Sequence, residues 1–235
     1  MVLIPERGDP TLDAVNEAIE REQLPHASKN IGFGEIGHEC SRFLWYKINS
    51  QEGERFTADT LRIFRNGHED EAAMARDLRK VEGITLYTHD PERDNKQYKF
   101  ENLDSRFQGR LDGVVVGLKQ APKTFHIWEH KSVGDKKFEA LIKNPVLKDW
   151  NIVYYAQAQS AMLHAELERY YMTISTPGLR RVTSLRGELD REFAESLVDK
   201  ARRIINATEP PERISNDPCW FQCRYCRFQG VCHGK

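Results

Sequence analysis

Nowhere in its 235 residues does the chain carry an apolar run approaching the ~18 residues that a membrane span requires. Its start, Met1-Val2-Leu3-Ile4-Pro5-Glu6-Arg7, also lacks the apolar stretch of a secretory signal, so the expectation is a soluble, cytoplasmic protein with no membrane partner. An excess of charge of one sign is missing too, with 35 Lys and Arg against 36 Asp and Glu, a formal charge of -1 and a pI near 6.7. Binding to a polyanion must therefore come from a local basic surface. There is no repeat and no low-complexity segment; Pro210-Pro211 is the best break and merely separates a tail, so residues 1–235 read as one domain. A disulfide framework is excluded by cysteine usage: the five cysteines are an odd number, and Cys219, Cys223, Cys226 and Cys232 crowd the last seventeen positions. That crowding is the pattern of a metal centre. At 39% hydrophobic residues a chain of this length builds a substantial core without covalent staples.

Periodicity sorts the chain into helices first and a mixed region after. Leu12, Val15 and Ile19 stripe a helix over Thr11 to Gln23, ending before Pro25. A second helix is predicted from Glu35 to Ile48 with Cys40 facing inward, and a third from Asp59 to Val81, stopping at Gly83. Strands are predicted at Ile84 to Tyr87, Tyr98 to Asn102, Gly109 to Leu118 and Phe125 to Val133, the last two as a hairpin around Pro122. Helices at Asp135 to Ile142, Trp150 to Leu167 and Asp190 to Asn206 frame strands at Arg169 to Ser175 and Arg181 to Leu185.

The hairpin carries the chemistry. Alternation sends Glu129 and Lys131 to one face of their strand and Trp128 and His130 to the other. Closing the loop with Leu118 opposite Phe125 sets Asp112 against Lys131 and Val114 against Glu129, so two carboxylates and an ammonium meet at the open end of the ribbon. Convergent carboxylates repel and call for a cation, and hard oxygen ligands favour Mg²⁺ or Mn²⁺. Such an ion activates water and stabilises charge on a phosphate under attack. An isolated Glu-x-Lys is commonly a solvated pair on an edge strand; the Asp112-Gly113 step and the apolar lead-in Phe125-His126-Ile127-Trp128 argue for a site instead.

Gly109-Arg110-Leu111-Asp112-Gly113, Trp128-Glu129-His130-Lys131 and Tyr154-Tyr155-Ala156-Gln157-Ala158-Gln159, with Gly67-His68-Glu69-Asp70-Glu71 upstream, resemble the PD-(D/E)xK nuclease superfamily, specifically its RecB-like and phage-type exonucleases. The resemblance runs from Gly32 to Gly234. It implies an α/β fold: a restriction-endonuclease-like αβββαβ core with a mixed central sheet over about residues 57–178, extra N-terminal helices and a C-terminal cysteine-bound metal cluster. By the same resemblance Asp112 and Glu129 ligate the catalytic metal, Lys131 acts on the water, His68 and the backbone carbonyl of His130 complete the sphere, and Glu71 replaces or supplements His68. Gln157 would touch the substrate backbone or Lys131, although the Gln-x-x-x-Tyr of many relatives is absent, Ala161 and Leu163 standing where a tyrosine would follow Gln157 or Gln159.

Cys223-x2-Cys226-x5-Cys232 places three thiolates within reach of one metal, and a closed site needs a fourth. Cys40, in His38-Glu39-Cys40-Ser41-Arg42, resembles the N-terminal cysteine of nucleases whose iron-sulfur cluster clasps the chain ends, including the CRISPR-associated RecB-like exonucleases. The favoured reading is a structural [4Fe-4S] cluster on Cys40, Cys223, Cys226 and Cys232, joining residues 35–48 to 210–235; Cys219 competes for the fourth position, and spacing alone leaves Zn²⁺ open.

From Lys119 to Lys148 seven lysines face three acids, and Trp150, Tyr154, Tyr155, Trp220, Phe221 and Tyr225 offer rings on which unpaired bases stack. The expected activity is divalent-metal-dependent hydrolysis of DNA by an exonuclease acting on single strands or duplex ends in recombination, replication or degradation, with a bacteriophage origin and the host cytoplasm as its place. Relatives that form rings or larger complexes make a homo-oligomer or a recombination partner protein conceivable. The rivals are an endonuclease of the same fold and a non-catalytic zinc-ribbon DNA-binding protein.

Overall fold

The computed structural model describes residues 8–23, 28–50 and 55–234; the opening heptapeptide and Pro25 lie outside them. Helices α1 (Pro10–Glu22), α2 (Ser41–Asn49) and α3 (Ala58–Arg79) precede the main strands, with a two-residue strand β1 (Ile31–Gly32) between the first two. β2 (Thr85–Tyr87), β3 (Lys99–Asn102), β4 (Phe107–Arg110), β5 (Gly113–Val116) and β6 (His126–Ser132) follow. Then come α4 (Asp135–Lys143), α5 (Leu147–Trp150), α6 (Ile152–Ala165), β7 (Arg169–Ser175), β8 (Val182–Glu188), α7 (Arg191–Asn206) and two short tail helices, α8 (Phe221–Arg224) and α9 (Gln229–His233). No described helix is long and apolar enough to cross a membrane.

Five strands form the central sheet in the order β2-β5-β6-β7-β8, and β1-β4-β3 make a smaller one. β5 and β6 are antiparallel, β6 and β7 parallel. A parallel pair needs a crossover, which α4, α5 and α6 supply. Counting only central-sheet strands, α3, β2, β5, β6, the α4–α6 crossover and β7 make an αβββαβ arrangement on a mixed sheet, with β3 and β4 inserted into the smaller sheet and β8 added at the edge.

The sheet faces follow from alternation. Trp128 and Val115 pack with Ala75 and Leu78 of α3, whereas Ile127, Met172 and Ile174 join Ala156, Ala158 and Met162 of α6 in the larger core. The sheet is sandwiched between those two helices, and Glu129 and Lys131 share the α6 face with Ile127.

Three expectations change. The predicted strand from Gly109 to Leu118 is two strands in two sheets, broken at Leu111 and Asp112, so Asp112 stands where the chain passes from one sheet to the other. The hairpin register is Gly113 opposite Trp128, Val114 opposite Ile127 and Val115 opposite His126, two residues from the expected pairing. Gly117 takes a left-handed φ of 89° and Leu118 bridges Ala121, so Leu118 is used within the turn. A shift of two leaves every side chain on its face. Finally, α2 starts at Ser41, with Cys40 as its N-cap, because Glu35 to His38 form tight turns on Gly32 and Glu35 carbonyls. That turn lies close to α6: a Cβ on Gly37 would come within 2.6 Å of the Val153 Cα.

Candidate active site and cysteine clasp

Asn151 separates α5 from α6, its backbone extended and its side chain accepting from the N–H groups of Val153 and Tyr154. The cap sets the helical phase that turns Tyr154 and Gln157 toward β6. Gln157 Nε2 donates to Glu129 Oε2 at 2.8 Å, and Lys131 Nζ donates to the same oxygen at 3.0 Å. Glu129 is 1% exposed, and its second oxygen, Oε1, is buried without a hydrogen-bond partner among the described residues. A carboxylate oxygen in that condition costs free energy unless something pairs with it.

Asp112 approaches from the sheet junction, and its Oδ2 accepts the His130 N–H at 2.8 Å. A strand residue directs N–H and C=O to the same edge. The His130 carbonyl therefore faces the Asp112 side, past the last β5 pair at Gly113 and Trp128. The His130 ring is occupied elsewhere, with Nδ1 3.0 Å from Thr173 Oγ1 and Nε2 3.2 Å from Ser175 Oγ. Burial pushes its pKa down to about 4, against the pull of Asp112 and Asp70, so the imidazole is neutral at physiological pH.

The anions crowd one another. Burial, then repulsion from Asp112, lifts Glu129 to about pKa 8 despite Lys131. Burial and Asp112 likewise lift Glu71 on α3 to about 7. For Lys131, burial works to lower the pKa, but the attraction of Glu129 and Asp112 wins and raises it, so Lys131 remains an ammonium. One ammonium is too little positive charge for three carboxylates, and a cation with oxygen preference fits the donors present: Asp112, Glu129, the His130 carbonyl and Glu71. No three His, Cys, Asp or Glu side chains among the described residues converge tightly enough to hold a bare ion by themselves. Mg²⁺ does not require that, since it keeps several waters and is bound through one or two carboxylates.

The structure thus brings Asp112, Glu129, Lys131 and Gln157 together, with the His130 backbone among them. His68 is exposed on α3, one turn before Glu71. The sequence reading passed over Asp70. It is buried, accepts from Ser132 Oγ at 2.6 Å and from the Gly178 N–H at 3.0 and 3.2 Å, and so ties α3 to the end of β6 and to the β7–β8 turn. Its only signal was the acidic run Glu69-Asp70-Glu71, whose members a helix necessarily sends in three directions.

Cys40, Cys223, Cys226 and Cys232 line one cavity of about 220 Å³ together with Phe43 and Phe228. Cys219 is exposed and does not line it. The Cys223 thiol is raised by burial and then by the proximity of Cys40, Cys232 and Cys226, and Cys226 is raised in the same way. Positive groups hold both ends of the clasp. Arg42 donates to the Pro210 and Pro211 carbonyls and lies 3.8 Å from Cys232 Sγ, while Lys200 of α7 donates to the carbonyls of Ile36 and His38.

The sequence profile of the PD-(D/E)XK nuclease superfamily matches residues 13–233. The chain belongs to that superfamily. Its fold is similar to that of LHK-Exo, an alkaline exonuclease from Laribacter hongkongensis, with a TM-score of 0.53 at 13% identity over 76% of this chain and 87% of that one. For LHK-Exo in complex with dAMP the TM-score is 0.54 at 15% identity, over 75% and 86%. At such identity the likeness is one of fold. No curated protein matches the chain by sequence.

Proposed function

We propose that the protein is a DNA exonuclease dependent on Mg²⁺ or Mn²⁺, with its site at Asp112, Glu129, Lys131 and Gln157 and with Glu71 beside them. The observation that carries the reading is the buried, unpartnered Glu129 Oε1 beside Asp112 and Lys131 in a superfamily of nucleases. A divalent ion, when bound, supplies an activated water and neutralises charge on the phosphate. The chain's own residues do the rest. Gln157 and Lys131 fix the Glu129 carboxylate through Oε2 and leave Oε1 as the oxygen that would hold the ion. Lys131, held as an ammonium, places positive charge where the phosphate gains negative charge. DNA as the polymer is supported by the fold shared with an alkaline exonuclease that has been solved with dAMP. End-labelled linear DNA and closed circular DNA, incubated with Mg²⁺, provide the test: degradation of the linear form alone is expected, and nicking or linearisation of the circle would favour the endonuclease.

For the second centre we read Cys40, Cys223, Cys226 and Cys232 as the ligands of a structural [4Fe-4S] cluster. Its support is that these four, and not Cys219, surround one cavity. Protein purified without oxygen is expected to be brown, with about four irons and four sulfides per chain, and the colour should be lost in Cys40→Ser. A colourless protein containing zinc alone would remove the cluster.

A further inference from the structure

Beside the catalytic lysine the surface bears an alternation of cations and rings. Lys131 Nζ lies 5.6 Å from the centre of the Tyr154 ring, Lys137 Nζ lies 4.5 Å from that ring, and Lys137 Nζ is also 5.4 Å from the Trp150 ring. The two rings are 5.7 Å apart at 53°. Trp150 Nε1 donates to the Lys137 carbonyl at 2.8 Å, which fixes the indole against α4. The row therefore runs from β6 over α6 to α4 and α5, starting at an ammonium 3.0 Å from Glu129.

Its charge is available. The two acids of α4, Asp135 and Glu139, are paired with Arg180 and Arg181 of the β7–β8 turn. Lys136, Lys137 and Lys143 have no carboxylate partner among the described residues, whereas nearby Lys148 is paired with Asp190. Both Trp150 and Tyr154 are half-buried, so each ring is anchored and still offers surface.

From this arrangement we infer that Trp150, Tyr154 and Lys137 form a track for one unpaired DNA strand leading to Glu129 and Lys131. Rings on a basic surface suit a single strand, whose bases are free to stack and whose phosphates pair with ammonium groups; in a duplex the flat faces of the bases are covered. Trp150 is the stacking platform and Lys137 the phosphate contact. The inference rests on the nuclease reading and adds to it the form in which the polymer reaches the site.

The test uses the full chain carrying Asp112→Asn, so that DNA is held uncleaved, and 16-nucleotide probes containing 2-aminopurine, single-stranded or as blunt duplex, with and without Trp150→Ala, Trp150→Phe or Lys137→Gln. Trp150→Ala should weaken single-strand binding about tenfold, by much more than it weakens duplex binding, and should relieve 2-aminopurine quenching. Trp150→Phe, which keeps a ring and loses the indole hydrogen bond, should restore most of the affinity, so that a general failure to fold is distinguished. Lys137→Gln should reduce the salt slope of single-strand binding by about 0.7. Unchanged single-strand affinity and quenching in Trp150→Ala, or equal losses for single strand and duplex, would overturn the track. If the unsubstituted enzyme still degrades linear DNA in that event, the nuclease reading survives alone; if it neither binds nor cuts DNA, both fall.

Discussion

Asp112→Asn is expected to lower the rate of DNA cleavage by about 10²–10⁴-fold while leaving the fold as stable as before or slightly more so. The asparagine carbonyl oxygen can still accept the His130 N–H that Asp112 Oδ2 now accepts at 2.8 Å, so the sheet junction keeps its hydrogen bond. What disappears is one negative charge, and that charge presses on Glu129 and Glu71, since Asp112 contributes to the raised pKa of both. Removing it relieves repulsion in the resting protein and, on the proposed reading, takes away a carboxylate that would hold the ion. Lys131→Ala should fall in the same activity range for a different reason, loss of the ammonium that bonds Glu129. It should not be destabilised by the full 3–5 kcal/mol of a broken buried pair, because Glu129 can take up a proton. Steady-state cleavage of a labelled linear duplex in Mg²⁺, beside thermal melting of each variant, checks both. A variant Asp112→Asn that cuts at the normal rate would remove Asp112 from the site.

How the chain announces this site depends on which physical rule each residue obeys. Glu129 and Lys131 are legible because period-two alternation commits them to one face whatever the register, and the two-residue slip at Gly117 therefore cost nothing at the site. Gln157 is legible only by motif, and its hydrogen bond to Glu129 depends on the Asn151 cap that sets the phase of α6. The break at Asp112 was not legible: Gly109 to Leu118 has the pattern of one strand, and the switch between sheets is decided by long-range pairing with β3 and β2. His68 and Glu71 lie one helical turn apart in the sequence, and only the packing of α3 on β6 decides which one approaches Asp112. The cysteines divide similarly. Spacing singles out Cys223, Cys226 and Cys232, while the choice between Cys40 and Cys219 is a matter of tertiary closure through Arg42 and Lys200.

The crowding of carboxylates also has a thermodynamic signature in the metal-free protein. Glu129 titrates near 8 in the folded chain and near 4.3 when unfolded. Below pH ~4 both states hold the proton and the group is neutral toward stability; between ~4.3 and ~8 the unfolded chain releases it and the folded one does not, so this group's contribution falls as pH rises. Glu71, raised to about 7, acts in the same sense and more weakly because it is less buried. The histidines oppose it: His38, His126, His130 and His164 all have lowered pKa values, mainly through burial, and their contribution is lost as pH falls instead. The total melting curve mixes both, so the informative quantity is the difference between the native chain and Glu129→Gln. That difference should move in favour of the variant by a few kcal/mol from pH 5 to pH 8, or on the order of 5–10 °C in melting temperature for a chain of this size. Mg²⁺ or Ca²⁺ should reverse it for the native chain alone, and more strongly at pH 8, where less proton must be expelled for the ion to enter. Calorimetry at the two pH values in chelator and in excess divalent ion measures all four differences. A gap between the two proteins that ignores both pH and metal would mean that Glu129 is neither crowded by Asp112 nor waiting for a cation.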